Sequence, residues 1–232
     1  MDHAPPAITQ LITIPKSCED AELWATLVQK LKSFRLESLQ KSPEAFASTY
    51  EREIAFSTAQ WEARLSNPLA TTIVAIRKYH EDDSDEEVTN VQQLEEEEWL
   101  ATTVLVQSES PVAGVHTSME SDHSHTPQAI EFHLNGVYVA PAHRNIGLGR
   151  AILQKALQVG QDLARSAGAL EAYFKVRVDS DNLAACRTYA RGGFQEEARE
   201  QLVMPEKMKD GIALPAREAT ILVMAFRLAV PN

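Results

Sequence analysis

Apolar residues follow two different periods along this chain. Ile8-Thr9-Gln10-Leu11-Ile12-Thr13-Ile14 has a strand-like period and stops at Pro15. Beyond Ser17 or Asp20, either of which can cap a helix, Leu23, Trp24, Leu27, Leu31, Phe34 and Leu39 recur at helical spacing. Ser42-Pro43-Glu44-Ala45-Phe46 interrupts that helix, and a second helical stretch covers 58–65 before Asn67-Pro68. Residues 71–76 and 99–106 are β-branched runs. The second half is more regular: a strand over Ala129–Val139, a helix over 149–165 closed by Gly168, and a strand over 170–178. A helix over Leu183–Arg191 closed by Gly192-Gly193 and a last strand over 220–228 follow. This order predicts an α/β domain around one mixed sheet, with no internal repeat.

Composition changes this picture little. With 232 residues, 44% of them hydrophobic, the chain suits one domain, 1–232, with a substantial core. No apolar run reaches the roughly 18–20 residues of a membrane helix, and Met1-Asp2-His3-Ala4-Pro5-Pro6 lacks the basic and apolar regions of a secretory signal. Cys18 and Cys186 are too few for a disulfide framework, so a reducing, cytoplasmic compartment is expected.

The net charge of −11 is local. Residues 81–98 hold ten acids and no Lys or Arg; without them 23 acids face 22 bases. The segment 80–98 therefore reads as a flexible acidic insertion, and 107–128, rich in Ser and His, as a long polar loop. No basic patch suggests nucleic acid. His123-Ser124-His125 lacks carboxylate or thiolate company, so no metal is expected.

The chemistry concentrates in Val137-Tyr138-Val139-Ala140-Pro141-Ala142-His143-Arg144-Asn145-Ile146-Gly147-Leu148-Gly149-Arg150-Ala151-Ile152. An apolar strand stops at a proline, glycines allow a tight turn, and the next helix presents unpaired N–H groups at the positive end of its dipole. Arg144 and Arg150 add positive charge. This is an anion site. No Lys-Ser/Thr follows Gly149, which excludes a P-loop. A dinucleotide fingerprint needs a glycine where Ile152 stands, and Glu171 begins its strand where that fold places an acid at the end.

Arg144-Asn145-Ile146-Gly147-Leu148-Gly149 resembles the Arg/Gln-x-x-Gly-x-Gly/Ala motif of the GNAT superfamily of N-acetyltransferases. Asp181-Asn182-Leu183-Ala184-Ala185-Cys186-Arg187-Thr188-Tyr189-Ala190-Arg191-Gly192-Gly193-Phe194 is similar to that family's Asn-x-x-Ala-x-x-x-Tyr-x-x-x-Gly-Phe element. The resemblance covers about 129–194, with a weaker likeness at Ser42–Phe46. It implies a GNAT-like (acyl-CoA N-acyltransferase) α/β fold, whose mixed, mostly antiparallel sheet is flanked by helices and splayed at the cofactor site.

It also implies acetyl-CoA as co-substrate. The backbone of Asn145, Ile146, Gly147, Leu148, Gly149 and Arg150, with Arg144, would hold the pyrophosphate. Val137, Tyr138 and Val139 would lie along the pantetheine and stabilise the oxyanion, with Asn182 nearby. Tyr189 would protonate the leaving thiolate or only position the sulfur. The attacking amine needs a base, and Glu131 and His133, on one face of the strand with Asn135, are the candidates.

The expected activity is acetyl transfer to a primary amine by direct attack in a ternary complex, by a monomer or homodimer. The acceptor remains a small molecule or a peptide. The rival readings are a catalytically degenerate acyl-CoA sensor and a dinucleotide-binding enzyme.

Overall fold

The computed structural model describes residues 8–78, 90–109 and 129–231. Seven strands form one open sheet in the order β1-β2-β3-β4-β5-β9-β6. They are β1 (Ile8–Thr13), β2 (Ala70–Lys78), β3 (Glu98–Gln107), β4 (Ala129–Val139), β5 (Glu171–Asp179), β6 (Gln195–Met204) and β9 (Arg217–Ala229). All neighbours are antiparallel except β4 and β5. A hairpin, β7 (Lys207–Lys209) with β8 (Ile212–Leu214), stands between β6 and β9 in the chain.

Helices cover both faces. On one lie α1 (Ala21–Lys41), α2 (Tyr50–Ile54), α3 (Thr58–Ser66) and α4 (Asn90–Glu96); their apolar sides enclose Leu27, Leu31, Trp61 and Leu94 against Val74, Ile76 and Trp99. On the other lie α5 (Leu148–Ser166) and α6 (Leu183–Arg191), over Ile73, Leu105, Phe132 and Phe174. Local chemistry sets the helix starts. Asp20 accepts from the N–H groups of Glu22 and Leu23, and Ser57 and Gln60 form a capping box on α3.

Some elements depart from the sequence reading. α2, β6 and the β7–β8 hairpin were not anticipated. Of the acidic insertion, residues 80–89 lie outside the described residues, but its end, from Asn90, is ordered. Leu94 of α4 is buried beneath α1, and Lys30 donates to the carbonyls of Glu95 and Glu97 at 2.6 and 2.5 Å. One buried leucine and one capping ammonium anchor that helix despite its acids. Of the polar loop, Gln107 belongs to β3, and 110–128, including His123-Ser124-His125, lies outside the described residues.

Two irregularities in β4 create the site. Its register against β3 passes from Thr102↔Tyr138 to Val104↔Asn135, so Thr103 faces two residues, Gly136 and Val137. Gly136 adopts φ +59, a left-handed conformation that a side chain resists, and the extra residue is a β-bulge. The bulge reverses which side chains face which layer. Ile130, Phe132 and Leu134 pack under α5, whereas Tyr138 turns to Leu39 and Phe46 on the α1 side. In addition, β4 pairs with β5 only from Ala129↔Glu171 to Leu134↔Val176, while β5 stays on β9 as far as Asp179. Beyond Leu134 the two parallel strands part.

Candidate active site

The gap between the strands is a cleft of about 1000 Å³. Val137, Tyr138 and Val139 form one wall, and on the side facing β5 their backbone has no strand partner. The other wall is the end of β5 and the start of α6, from Asp179 to Ala185.

At the mouth, the chain from Arg144 to Gly147 is built to expose N–H groups. Asn145 (φ 65) and Gly147 (φ 88) are both left-handed, and Gly147 caps α5 without a side chain. The first donor in the helix ladder is Ala151, to Gly147 O at 3.1 Å, so the N–H groups before it stay outside the ladder. With the helix dipole and Arg150 of the lining, this end suits a polyanion. The two glycines differ. Gly147 is needed for its φ, whereas a Cβ at Gly149 would meet only ordinary contacts, Val139 at 3.7 Å and Thr188 at 3.9 Å.

Arg144 lines the cleft, but its guanidinium is committed to protein. Nε donates to Val139 O at 3.0 Å and Nη2 to Ser42 Oγ at 2.7 Å. Its charge adds to the local field while its donors brace the wall. Asn182 caps α6 by accepting from Ala185 N at 3.2 Å, which leaves its amide N–H₂ for a ligand.

Tyr189 also lines the cleft. Only 5% exposed, its ring packs on Phe194 at 5.8 Å, and its hydroxyl has no hydrogen-bond partner among the described residues. Burial first, then Cys186, pushes the phenol well above its ordinary range, so it keeps its proton at neutral pH. Tyr138 is different. Its hydroxyl is enclosed without a partner beside Phe34 and Phe46, with its pKa raised first by burial and then by Glu37, against Arg144.

Glu131 and His133 do not reach the cleft. Both precede the point where β4 leaves β5, and neither lines it. They form a cluster of their own: Glu131 meets His133 Nε2 at 2.9 Å and Lys175 Nζ at 3.0 Å. Alternation along β4 correctly put them on one face, but the bulge and the splay lie downstream of them. Ile146 is 69% exposed and is not among the residues that line the cleft.

Several lining residues escaped the sequence reading. Asp179 accepts from Asp181 N at 3.0 Å and pairs with Arg217 across from β9. Ser42, Glu44 and Ala45 close the cleft from the turn after α1. Asp210-Gly211, at φ 51 and 80, marks the hairpin whose lysines hold that turn; such a dipeptide was the available signal. Among the described residues there is no group of three or more potential ligands that could hold a metal ion, and no helix long and apolar enough to cross a membrane.

A family model described as the acetyltransferase (GNAT) family matches residues 68–194. Solved structures share the architecture. Arabidopsis thaliana NAA60 in complex with acetyl-CoA superposes with a TM-score of 0.58 at 10% identity, covering 95% of this chain and 99% of that one. A GNAT-family acetyltransferase from Streptococcus pneumoniae gives 0.55 at 14% identity, covering 96% and 100%. No curated protein matches in sequence. The family match spans more than half the chain, includes both walls of the cleft, and coincides with a sheet splayed in the same architecture: the chain belongs to the acetyltransferase (GNAT) family.

Proposed function

We propose that this chain transfers the acetyl group of acetyl-CoA to a primary amine by direct attack in a ternary complex. One observation carries the reading. The helix start at Gly147, the unpaired edge Val137–Val139 and Tyr189 share a single cleft. The pyrophosphate lies against the N–H groups of Asn145–Arg150, the pantetheine runs along Val137–Val139, and Asn182 contacts it from the opposite wall. A backbone N–H on that edge receives the thioester oxygen as it becomes an oxyanion.

The ammonium first loses one proton to solvent; the neutral amine nitrogen then bonds to the carbonyl carbon, the C–S bond breaks, and the second proton lost by nitrogen balances the one gained by sulfur. Tyr189 donates to the sulfur. Its raised pKa makes full proton transfer to a thiolate uphill, since a thiol has a pKa near ~8.5. Its main contribution is therefore a hydrogen bond that stabilises the departing thiolate, and Tyr189 keeps its own proton. The chain works as one domain, and its two free cysteines suit a reducing compartment.

Calorimetry with coenzyme A against nicotinamide dinucleotides tests the cofactor, with coenzyme A alone expected to bind. Thiol release over a panel of amines and peptides tests the reaction. For every accepted amine, Tyr189→Phe should lower kcat by about tenfold to a hundredfold, the loss of one hydrogen bond to a developing thiolate. A normal rate in that variant removes the role of Tyr189. Coenzyme A binding without thiol release from any amine would leave an acyl-CoA sensor.

A further inference from the structure

The turn at Pro43–Ala45 holds itself by only two backbone bonds, Ala45 N to Ser42 O at 3.0 Å and Phe46 N to Pro43 O at 3.4 Å, yet Glu44 and Ala45 line the cleft. It is also held from outside. Lys207, 5% exposed, points its ammonium into the turn and donates to the carbonyls of Pro43, at 2.8 Å, and Phe46. Those carbonyls bracket Glu44 and Ala45, and lie 164 and 161 residues away in sequence. Two positions along β7, Lys209 meets the Glu44 carboxylate at 3.1 Å. From the other side, Arg144 holds Ser42.

A buried ammonium resting on two neutral carbonyls is an expensive way to fill space. Burial penalises the charge and lowers its pKa. A methionine would occupy the same volume without that penalty. A cationic side chain with several donors supplies charge-assisted hydrogen bonds that pin both carbonyls at once.

Resting on the acetyl-transfer reading, we propose that Lys207 is a positioning residue for the acceptor. Its ammonium fixes the Ser42–Phe46 turn as a rigid wall facing the end of β5, and so sets the width through which the amine reaches the thioester. The β7–β8 hairpin thereby selects the acceptor without touching the cofactor.

The test uses the full-length protein with Lys207→Met and Lys207→Arg. In Lys207→Met, amide exchange at Ala45 and Phe46 should quicken by about tenfold or more, the loss of one charge-assisted bond, with coenzyme A affinity within about twofold. For any amine the wild type acetylates, KM should rise by about tenfold and kcat stay within about twofold, the mark of lost uniform binding. Lys207→Arg, which keeps charge and donors, should recover most of both effects. Unchanged exchange at the turn overturns the proposal, as does coenzyme A affinity falling in step with the amine KM. If the wild type acetylates no amine, the activity reading fails, while exchange at the turn still decides whether Lys207 holds it.

Discussion

Arg144 and Ser42 stand 102 residues apart in sequence and are joined by a 2.7 Å hydrogen bond from Nη2 to Oγ. Through it the loop before α5 is tied to the end of α1, where Ser42 is 2% exposed. Ser42→Ala removes the acceptor and leaves a guanidinium N–H without its partner. The expected loss is about 1–1.5 kcal/mol, the upper part of the range for an ordinary hydrogen bond because Arg144 is exposed to water, read from urea denaturation. Arg144→Ala should lose more and also weaken coenzyme A binding by calorimetry, since it frees Val139 O as well.

The two glycines of the loop should respond in opposite ways. Gly147→Ala forces a side chain into φ 88 and should destabilise the fold by about 1–2 kcal/mol while weakening coenzyme A binding. At Gly149 the added Cβ finds only ordinary contacts in the first turn of α5. Alanine there should be neutral or stabilising by up to about 1 kcal/mol, with binding kept. Thermal denaturation and calorimetry on both variants check the contrast; equal losses would refute it.

Glu53 supplies the clearest pH dependence. Its carboxylate is 2% exposed and lies between Arg35 at 2.8 Å and Arg64 at 2.9 Å. Burial pushes its pKa up, but bonding to Arg35, with Ser48 and Arg64 adding to it, brings it from 4.5 down to about 2. A folded pKa below the unfolded one means stability that is fully present above about pH 4.5 and lost as pH falls through about 2. Glu53→Gln should therefore cost about 3 kcal/mol at neutral pH, because it strands two partly buried guanidiniums. The gap from wild type should close between pH 4.5 and 2 in urea titrations.

Glu131→Gln and His133→Ala should leave kcat/KM within about twofold of wild type, because neither side chain lines the cleft. A fall of more than tenfold in either, at unchanged stability, would restore one of them as the base.

How much was legible follows from the range of the interactions. The strand Ala129–Val139, the Gly147 turn and α6 with its stop at Gly192 were readable because hydrophobic period, glycine conformation and capping act within a few residues. β6 was missed since it is an edge strand exposed on both faces, so burial imposes no apolar alternation on Gln195–Met204. The short hairpin hid for a similar reason: Lys207 and Lys209 read as solvated charge until their partners in the turn at residues 43–46 come into view.

By itself, then, the sequence determined that a strand leads into a helix start able to hold a polyanion, and that a tyrosine on a second helix follows it. Tertiary structure decided which groups face that anion's neighbour. The bulge at Gly136 turns Tyr138 to the other layer, and the parting of β4 from β5 after Leu134 places Glu131 and His133 outside. Pairing across the sheet sets both, and joins residues far apart in the chain. Arg144 shows the difference most plainly: its motif predicts a charge at the loop, but only packing against Ser42 and Val139 reveals where its donors go.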